Sequence, residues 1–407
     1  GGAVDQVARQ RLSTVYMPGY KITMLPDAVV QAYTLLEGRD CPAVSLYVTF
    51  DEATLAVKGS ETKLERVPIV SNLRHDQLDS LVTEAWLAPG AASDPNGPQP
   101  ASRLREPLSF LYQLARHLKA QRELVRGKPE NFNRPDYNFR LDDNTGEPVG
   151  DETVRISERK RGAPLDLIVS EAMILANCHW GGFIADHGVP GIYRSQASMA
   201  PGIKVRMGTK PAPHAGMGVP QYTWATSPLR RYVDLVNQWQ IIATARHGRT
   251  AALVAPFKPK DAMLFSVISQ FDAAYTAYND FQRAIERFWT LRWLQQNSVT
   301  ELDGVALKDG LVRADSVPLV FKALGCEALP RNAHARVRIT GIDLLTLDLH
   351  ANLASRLDDA PAATAADEAG DDDEAAAAAP LALAIDVADA APAPPAEGDT
   401  APAAPAG

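Results

Sequence analysis

The sequence predicts an α+β protein with three parts. The first is a body in which a mixed sheet packs with long helices, and a small β-barrel and a disordered acidic tail follow it. Apolar residues recur at helical spacing through several long segments, whereas residues 304–352 read as short strands without a helical period. After Arg356 the composition changes to Ala, Pro, Asp and Glu, which cannot bury enough apolar surface to fold. We therefore expect three regions, at residues 1–298, 299–356 and 357–407.

The composition favours a soluble, cytoplasmic protein. The chain has 407 residues and is 46% hydrophobic, enough for a large core. Its three cysteines, Cys41, Cys178 and Cys326, are far apart and odd in number, which argues against a disulfide framework and against a zinc site. No apolar run approaches the ~20 residues of a membrane span, and the first residues lack a signal-peptide pattern.

The net charge of −8 is concentrated in the tail. Beyond Arg356 there are 12 acidic residues and no Lys or Arg, so the body carries 41 basic against 37 acidic residues. A mildly basic body is compatible with a polyanionic ligand but does not require one. The tail is either an inert solubilising segment or a shield against non-specific nucleic-acid binding.

The first third of the body is predicted to combine strands with one amphipathic helix. Residues 43–50 are β-branched and aromatic, which favours a sheet, and residues 89–101 have the composition of a surface loop. Residues 104–126 carry apolar positions at helical spacing. The basic residues of this helix form either a solvated face or the wall of a ligand channel: Arg116, Lys119, Arg122 and Arg126.

A hairpin and a long apolar helix are expected next. Residues 137–141 and 154–158 read as two strands around the turn residues 142–146. Residues 165–186 are too apolar for a surface helix, yet they include Glu171. A carboxylate among buried neighbours needs a partner or a ligand, although a glutamate on the helix surface with an exposed partner is the alternative.

The most informative stretch is the run Tyr222-Thr-Trp-Ala-Thr-Ser-Pro-Leu-Arg-Arg-Tyr-Val-Asp-Leu-Val-Asn237. Pro228 suits a first helical turn, and Ser227 can cap it. The free N–H groups of a helix start, together with the guanidinium groups of Arg230 and Arg231, favour a bound phosphate. The alternative is an ordinary capped helix with solvated arginines.

The remaining residues predict a core helix and a barrel. Residues 261–297 carry a continuous apolar stripe at helical spacing. From about residue 304 to 352, short strands such as 319–322 and 335–340 predict a small barrel of the S1 or OB type. A barrel that binds no ligand would show the same pattern of strands.

Taken together, three stretches resemble the ribonuclease II family of RNB-domain proteins. The run 222–237 is similar to the family's signature, while 11–19 with 24–26, and 167–177, fall in the family's order. The likeness spans most of residues 11–240 and extends loosely to 356, including a reduced S1 domain. It implies a monomeric 3′-to-5′ exoribonuclease that binds single-stranded RNA and hydrolyses the terminal phosphodiester with water activated by Mg²⁺.

The resemblance also implies roles for individual residues. Arg230 would stabilise charge on the phosphate in the transition state. Tyr16 would stack on the terminal base, and Glu171 would recognise the ribose. Phe139 is either a second stacking ring or a core residue. His75 stands where the family usually has a tyrosine, so sugar discrimination does not follow.

The chain departs from the family in two further ways. The family's metal-binding aspartate cluster lies upstream of the residue 11–19 motif, so we expect an incomplete protein that is inactive alone. The acidic residues 371–374 lie in the tail, and Asp234 is expected to anchor the neighbourhood of Arg231 or Tyr232 rather than a metal. A short loop replaces the longer helical stretch usual between Tyr193 and Tyr222, which predicts a more open channel.

Two alternatives to the exoribonuclease remain, a non-catalytic RNA-binding protein and an interaction scaffold.

Overall fold

The computed structural model describes residues 2–73, 78–88, 101–130, 136–142, 146–159 and 162–358. His75, residues 89–100 and the tail from residue 359 lie outside the described residues. The expectations for His75, for the 89–101 loop and for the disordered acidic tail therefore stay predictions.

Long helices form the frame of the body, in agreement with the predicted α+β class. In chain order they are α1 (Ala3–Arg11), α2 (Asp27–Tyr33), α3 (Glu84–Leu87), α4 (Arg105–Arg126), α5 (Pro164–Asp186), α6 (Tyr232–His247), α7 (Ala251–Val254) and α8 (Ala262–Gln296). The predicted helices 104–126, 165–186 and 261–297 are confirmed as α4, α5 and α8, because each carries the apolar periodicity that tertiary packing rewards.

The strands form hairpins in the body and a barrel behind it. They are β1 (Val15–Met17), β2 (Tyr20–Ile22), β3 (Asp40–Phe50), β4 (Val57–Pro68), β5 (Asp136–Asp142), β6 (Thr153–Arg159), β7 (Tyr193–Ser195), β8 (Arg206–Gly208), β9 (Glu301–Ala306), β10 (Leu311–Ala314), β11 (Val320–Leu324), β12 (His334–Asp343) and β13 (Asp348–Arg356). In the described body the strands pair as antiparallel hairpins, β1 with β2, β3 with β4, β5 with β6 and β7 with β8, rather than as one mixed sheet.

The predicted barrel is closed. Its strand order is β10-β11-β13-β12-β9, in which β11 and β13 pair in parallel and the other neighbours are antiparallel. Leu291 and Leu294, near the end of α8, belong to the same apolar cluster as the barrel interior. The Arg287 side chain donates to the carbonyl oxygens of Val320 and Leu347. The barrel is therefore joined to the body by packing as well as by the chain.

The core of the body surrounds α6. Tyr232, Val233 and Val236 are fully buried, and they pack with Ile174 of α5 and Phe271 of α8. A helix that is enclosed on several sides needs apolar residues around most of its circumference. The first turn of α6 thus lies deep in the protein, beside the segment predicted to bind phosphate.

One described helix, α5, is long and apolar enough by length and composition to cross a membrane. This corrects the expectation that no apolar run reaches such a length. A core helix can meet the same criteria, and α5 contains buried polar residues with partners inside the protein. Asn177 donates to the hydroxyl groups of Tyr222 and Thr226 and accepts from the amide of Ala225.

Candidate nucleic-acid site

The predicted phosphate segment is joined to the first strand of the chain. Ser13 and Arg231 form an antiparallel bridge, and the amide of Thr14 donates to the Arg230 carbonyl at 2.9 Å. The Tyr232 amide donates to the Leu12 carbonyl at 2.8 Å. Residues more than two hundred positions apart are thereby fixed against each other by main-chain hydrogen bonds.

This pairing changes where the helix begins. The sequence predicted a start at Ser227 and Pro228, but α6 begins at Tyr232, and Arg231 before it is extended with φ −132° and ψ 126°. Residues 227–231 form a turn in which the Arg230 and Arg231 amides donate to the Ser227 carbonyl. The bridge to Ser13 holds Arg231 outside the helical region, so Ser227 does not cap α6.

Arg230 lies on this turn and is 9% exposed. Its Nη2 donates to the Ser227 hydroxyl at 3.1 Å, and its carbonyl accepts from Ser13 and Thr14. The turn therefore holds the backbone of Arg230, and Ser227 orients the guanidinium. A recessed guanidinium in a fixed position suits recognition of a phosphate or of a developing negative charge.

Arg231, by contrast, is held inside the protein by Asp234 and Trp224. It is 2% exposed and makes a bidentate pair with Asp234, with Nε–Oδ2 at 2.7 Å and Nη2–Oδ1 at 2.9 Å. Its guanidinium carbon lies 4.0 Å from the centre of the Trp224 ring, and that of Arg194 lies 3.8 Å from the same ring. The expectation that Asp234 anchors Arg231 is confirmed. Of the two arginines expected to bind phosphate, Arg231 is engaged by Asp234, and phosphate binding by Arg230 stays a prediction.

Tyr16 lies two residues beyond the contact with Arg230, on β1. Its side chain is half-buried, and its amide donates to the Gln282 Oε1 of α8 at 2.8 Å. Sequence reasoning missed Gln282. Its signal was a polar residue within the apolar stripe of 261–297, and the structure buries it to 5% exposure. The strand that carries the predicted base-stacking ring of Tyr16 is thus fixed by Gln282 and by the nearby contact of residues 12–14 with residues 230–232.

Glu171 has the buried partner that its surroundings require. It is 2% exposed, and both of its carboxylate oxygens accept from Arg122 of α4. Arg122 also donates to both oxygens of Glu130 and, at 2.7 Å, to the carbonyl of Met217. Burial alone would lower the pKa of Arg122, but these two carboxylates outweigh it and raise the pKa above its ordinary value. A ribose hydroxyl that bound Glu171 would have to compete with Arg122 for the carboxylate oxygens.

Arg122 also corrects the basic face predicted for residues 104–126. It is 7% exposed and points into the protein, away from any solvated face. The short loop before Tyr222 docks on it: Gly218 has φ +66°, and a Cβ added there would overlap the Arg122 carbonyl. This loop is therefore fastened to α4.

Of the other predicted site residues, Phe139 is half-buried and packs against the cluster of Leu141, Val154 and Trp289. This position agrees with its core alternative. His75 lies outside the described residues. No group of three or more His, Cys, Asp or Glu that could hold a metal ion occurs in the part of the chain that the structure describes. The described residues therefore do not by themselves fit the Mg²⁺ site that the resemblance implies.

The fold is that of known exoribonuclease structures. RNase R of Mycoplasma genitalium, solved in complex with double-stranded RNA, superposes with a TM-score of 0.68 over 87% of this chain and 67% of its own, at 15% identity. The exoribonuclease Dss1 of Candida glabrata, an active site mutant, gives 0.65 over 86% and 48%, at 20% identity. The pseudonuclease Ssd1 of yeast gives 0.52 over 77% and 42%, at 18% identity.

The RNB domain model matches residues 1–203 and 201–247, and the chain belongs to this family. An uncharacterized ribonuclease of Synechocystis is 27% identical over 75% of this chain and 44% of its own length. The mitochondrial exoribonuclease II of Saccharomyces cerevisiae is 25% identical over 77% and 34%. The exoribonuclease 2 of Vibrio parahaemolyticus is 24% identical over 58% and 40%. The chain thus spans less than half the length of these relatives.

Proposed function

We propose that this protein is a 3′-to-5′ exoribonuclease that hydrolyses single-stranded RNA. The observation that carries the proposal is the joining of residues 12–14 to residues 230–232, which brings the strand of Tyr16 beside the turn of Arg230. Membership of the RNB-domain family and relatives named exoribonucleases support the same reading. A ring for a base and a guanidinium for a phosphate are two requirements for binding a single-stranded end.

In this proposal Arg230 binds the phosphate of the bond that is broken. Ser227 holds the guanidinium in one orientation through its hydroxyl group. A donor that is oriented before the reaction stabilises the additional negative charge of the transition state without reorganising. Tyr16 stacks on the terminal base and sets the position of the chain end relative to Arg230.

We further propose that the metal ion is Mg²⁺ and that its ligands are not among the described residues. This follows from the lack of a suitable His, Cys, Asp or Glu group in the described ranges. Mg²⁺, when bound, would supply activated water and charge neutralisation. On this basis the chain alone binds RNA but does not cleave it.

The test is incubation of the purified chain with 5′-labelled single-stranded RNA, in Mg²⁺ and in EDTA, with complex and products resolved from one sample. Salt-sensitive binding without cleavage is the expected result. A ladder that shortens from the 3′ end only in Mg²⁺ would support the exoribonuclease and refute inactivity of the chain. Absence of both binding and cleavage would remove the proposal.

The role of Arg230 is tested in the protein together with the residues that supply its metal. Arg230→Ala is expected to lower the turnover number by about 10²- to 10³-fold with little change in RNA affinity, as for the loss of one transition-state donor. The matched control is Arg249→Ala, an exposed arginine beyond the far end of α6. A normal rate in Arg230→Ala would exclude this role.

A non-catalytic RNA-binding protein is the second candidate. The observation in its favour is the same lack of a metal-ligand group among the described residues. If the protein, supplied with any residues that provide its metal ligands, binds RNA but leaves it intact in Mg²⁺, this candidate replaces the first.

A further inference from the structure

A cavity of about 290 Å³ lies away from the RNA site, where the β3–β4 hairpin meets the C-terminal ends of α5 and α6. Its lining includes His179 and His187 of the α5 end, Thr62 of β4 and Ala245 of α6. The turn with Arg230 precedes the other end of α6, about 24 Å away along the 16-residue helix. This cavity is therefore separate from the RNA site.

The cavity has fixed walls. The Trp180 indole N–H donates to the Thr62 hydroxyl at 3.2 Å, which ties the hairpin to α5. Leu46 of β3 packs into the same apolar cluster as Trp180 and Ile241. A concave space lined by aromatic and aliphatic groups with a few polar groups is the usual form of a ligand site.

Both imidazoles are held in one tautomer. The Nδ1 of His179 lies 2.9 Å from the Leu175 carbonyl, and the Nδ1 of His187 lies 2.8 Å from the Phe183 carbonyl. A carbonyl oxygen only accepts, so each neutral ring carries its proton on Nδ1 and has a lone pair on Nε2. Neither Nε2 has a hydrogen-bond partner among the described residues. The two rings therefore offer acceptors to a ligand.

The other polar groups around the cavity also favour a positively charged ligand that donates hydrogen bonds. The Glu61 carboxylate lies at the rim, although Lys63 partly neutralises it at 3.1 Å. Both α5 and α6 end at the cavity, and helix C-terminal ends carry partial negative charge. No Lys or Arg occurs among the described residues that line it, and Trp180 and Phe183 are part of that lining.

We infer that this cavity is a binding site for a small organic cation with N–H donors, of the amine or guanidine class. His179 lies within α5, whereas His187 directly follows the last residue of the helix, so the two rings are separated along its axis. A flexible chain with a donor at each end therefore suits two separate acceptors. Agmatine, which has a guanidinium at one end and an ammonium at the other, is the probe.

The experiment is isothermal titration calorimetry of the full chain with agmatine, and with adipate and 1,6-hexanediol as anionic and neutral probes of similar length. Saturable binding of one agmatine, with no binding of adipate or hexanediol, is expected. Equal binding of adipate would overturn the assignment to cations, and absence of agmatine binding would overturn the site itself.

Two kinds of variant locate the binding. Ala245→Leu fills the cavity, while His179→Phe and His187→Phe keep the ring volume and remove the acceptor. Each is expected to weaken agmatine by about tenfold or more, as for the loss of one good hydrogen bond. His247→Phe, at an exposed histidine that does not line the cavity, is the control and should bind within about twofold of the wild type.

Agmatine can also associate with the acidic tail through charge alone. In that event all variants, including Ala245→Leu, would bind it equally, and the inference would be rejected. RNA binding is measured in parallel and should be the same in Ala245→Leu and the wild type. The cation site and the proposed exoribonuclease function can therefore fail independently.

Discussion

Single residues in this protein combine charge with burial, and Arg122 is the clearest case. Its guanidinium joins Glu171 of α5, Glu130 after α4 and the carbonyl of Met217 in the loop before Tyr222. A buried ion pair adds little net stability compared with apolar groups, but loss of one partner leaves unpaired buried charge. Arg122 therefore fixes the arrangement of three segments more than it adds to their stability.

The substitution Arg122→Met tests this role. It leaves the Glu171 carboxylate buried without its partner, so we expect the free energy of unfolding to fall by about 3–5 kcal/mol. Urea denaturation followed by circular dichroism measures the change. Arg116→Met, at an exposed position of the same helix, should change it by less than about 0.5 kcal/mol. Equal effects of the two substitutions would contradict the structural role of Arg122.

Glu286 on α8 is a half-buried carboxyl group, and it gives stability a pH dependence. Burial, together with the nearby charge of Asp136, raises the pKa of Glu286 to about 7, although Arg283 opposes the shift. A carboxyl group whose pKa is higher in the folded than in the unfolded state favours folding when protonated. Its contribution is therefore lost as pH rises from the ordinary value of about 4.3 through 7.

We expect Glu286→Gln to remove this dependence. The variant should be more stable than the wild type at pH 8 by roughly 2 kcal/mol, and the difference should shrink towards pH 5. Urea denaturation at several pH values measures it. Asp272→Asn, at an exposed position of the same helix, is the control. A difference that stays constant between pH 5 and 8 would argue against the raised pKa.

At the scale of elements, backbone contacts decide where segments dock. Gly218 approaches the backbone of Arg122 and has a left-handed conformation, so the loop before Tyr222 can lie against α4 only with glycine at this position. In a similar way, the bridge between Ser13 and Arg231 delays the start of α6 to Tyr232. Both contacts are tertiary, and both lie beside predicted RNA-binding residues.

Gly218→Ala is expected to destabilise the protein by more than about 3 kcal/mol, because strain from the positive φ adds to the overlap with Arg122. Gly202→Ala is the matched control: Gly202 has φ +80° but open space around a Cβ, so only the strain of about 1 kcal/mol applies. Thermal unfolding of both variants checks the prediction. Similar losses would show that the loop moves away from α4 without cost.

At the scale of the whole molecule, the barrel and the body share a core. Leu291 and Leu294 of α8 are fully buried within the cluster that fills the barrel. The long helix therefore transmits unfolding from one unit to the other. Connected cores usually unfold together, whereas domains joined only by a linker unfold separately.

Leu294→Ala tests this connection. A cavity at this site should cost about 2–5 kcal/mol and lower the stability of both units together. Calorimetry and hydrogen exchange of barrel and body amides measure the effect. Leu345→Ala, at a residue that is 96% exposed in the barrel, should have almost no effect. Selective loss of protection in the barrel alone would indicate that the two units unfold independently.

The sequence by itself determined the α+β class, the long helices, the hairpin at 137–158 and the barrel, because the apolar periods of 3.6 and 2 follow from the geometry of each element. It also determined family membership, since the run 222–237 is specific. Only the tertiary structure decided which distant charged residues meet. Glu171 of α5 pairs with Arg122 of α4, and the carbonyl of Arg230 accepts hydrogen bonds from Ser13 and Thr14. Such pairing depends on which distant segments meet, and local sequence patterns do not encode that distance.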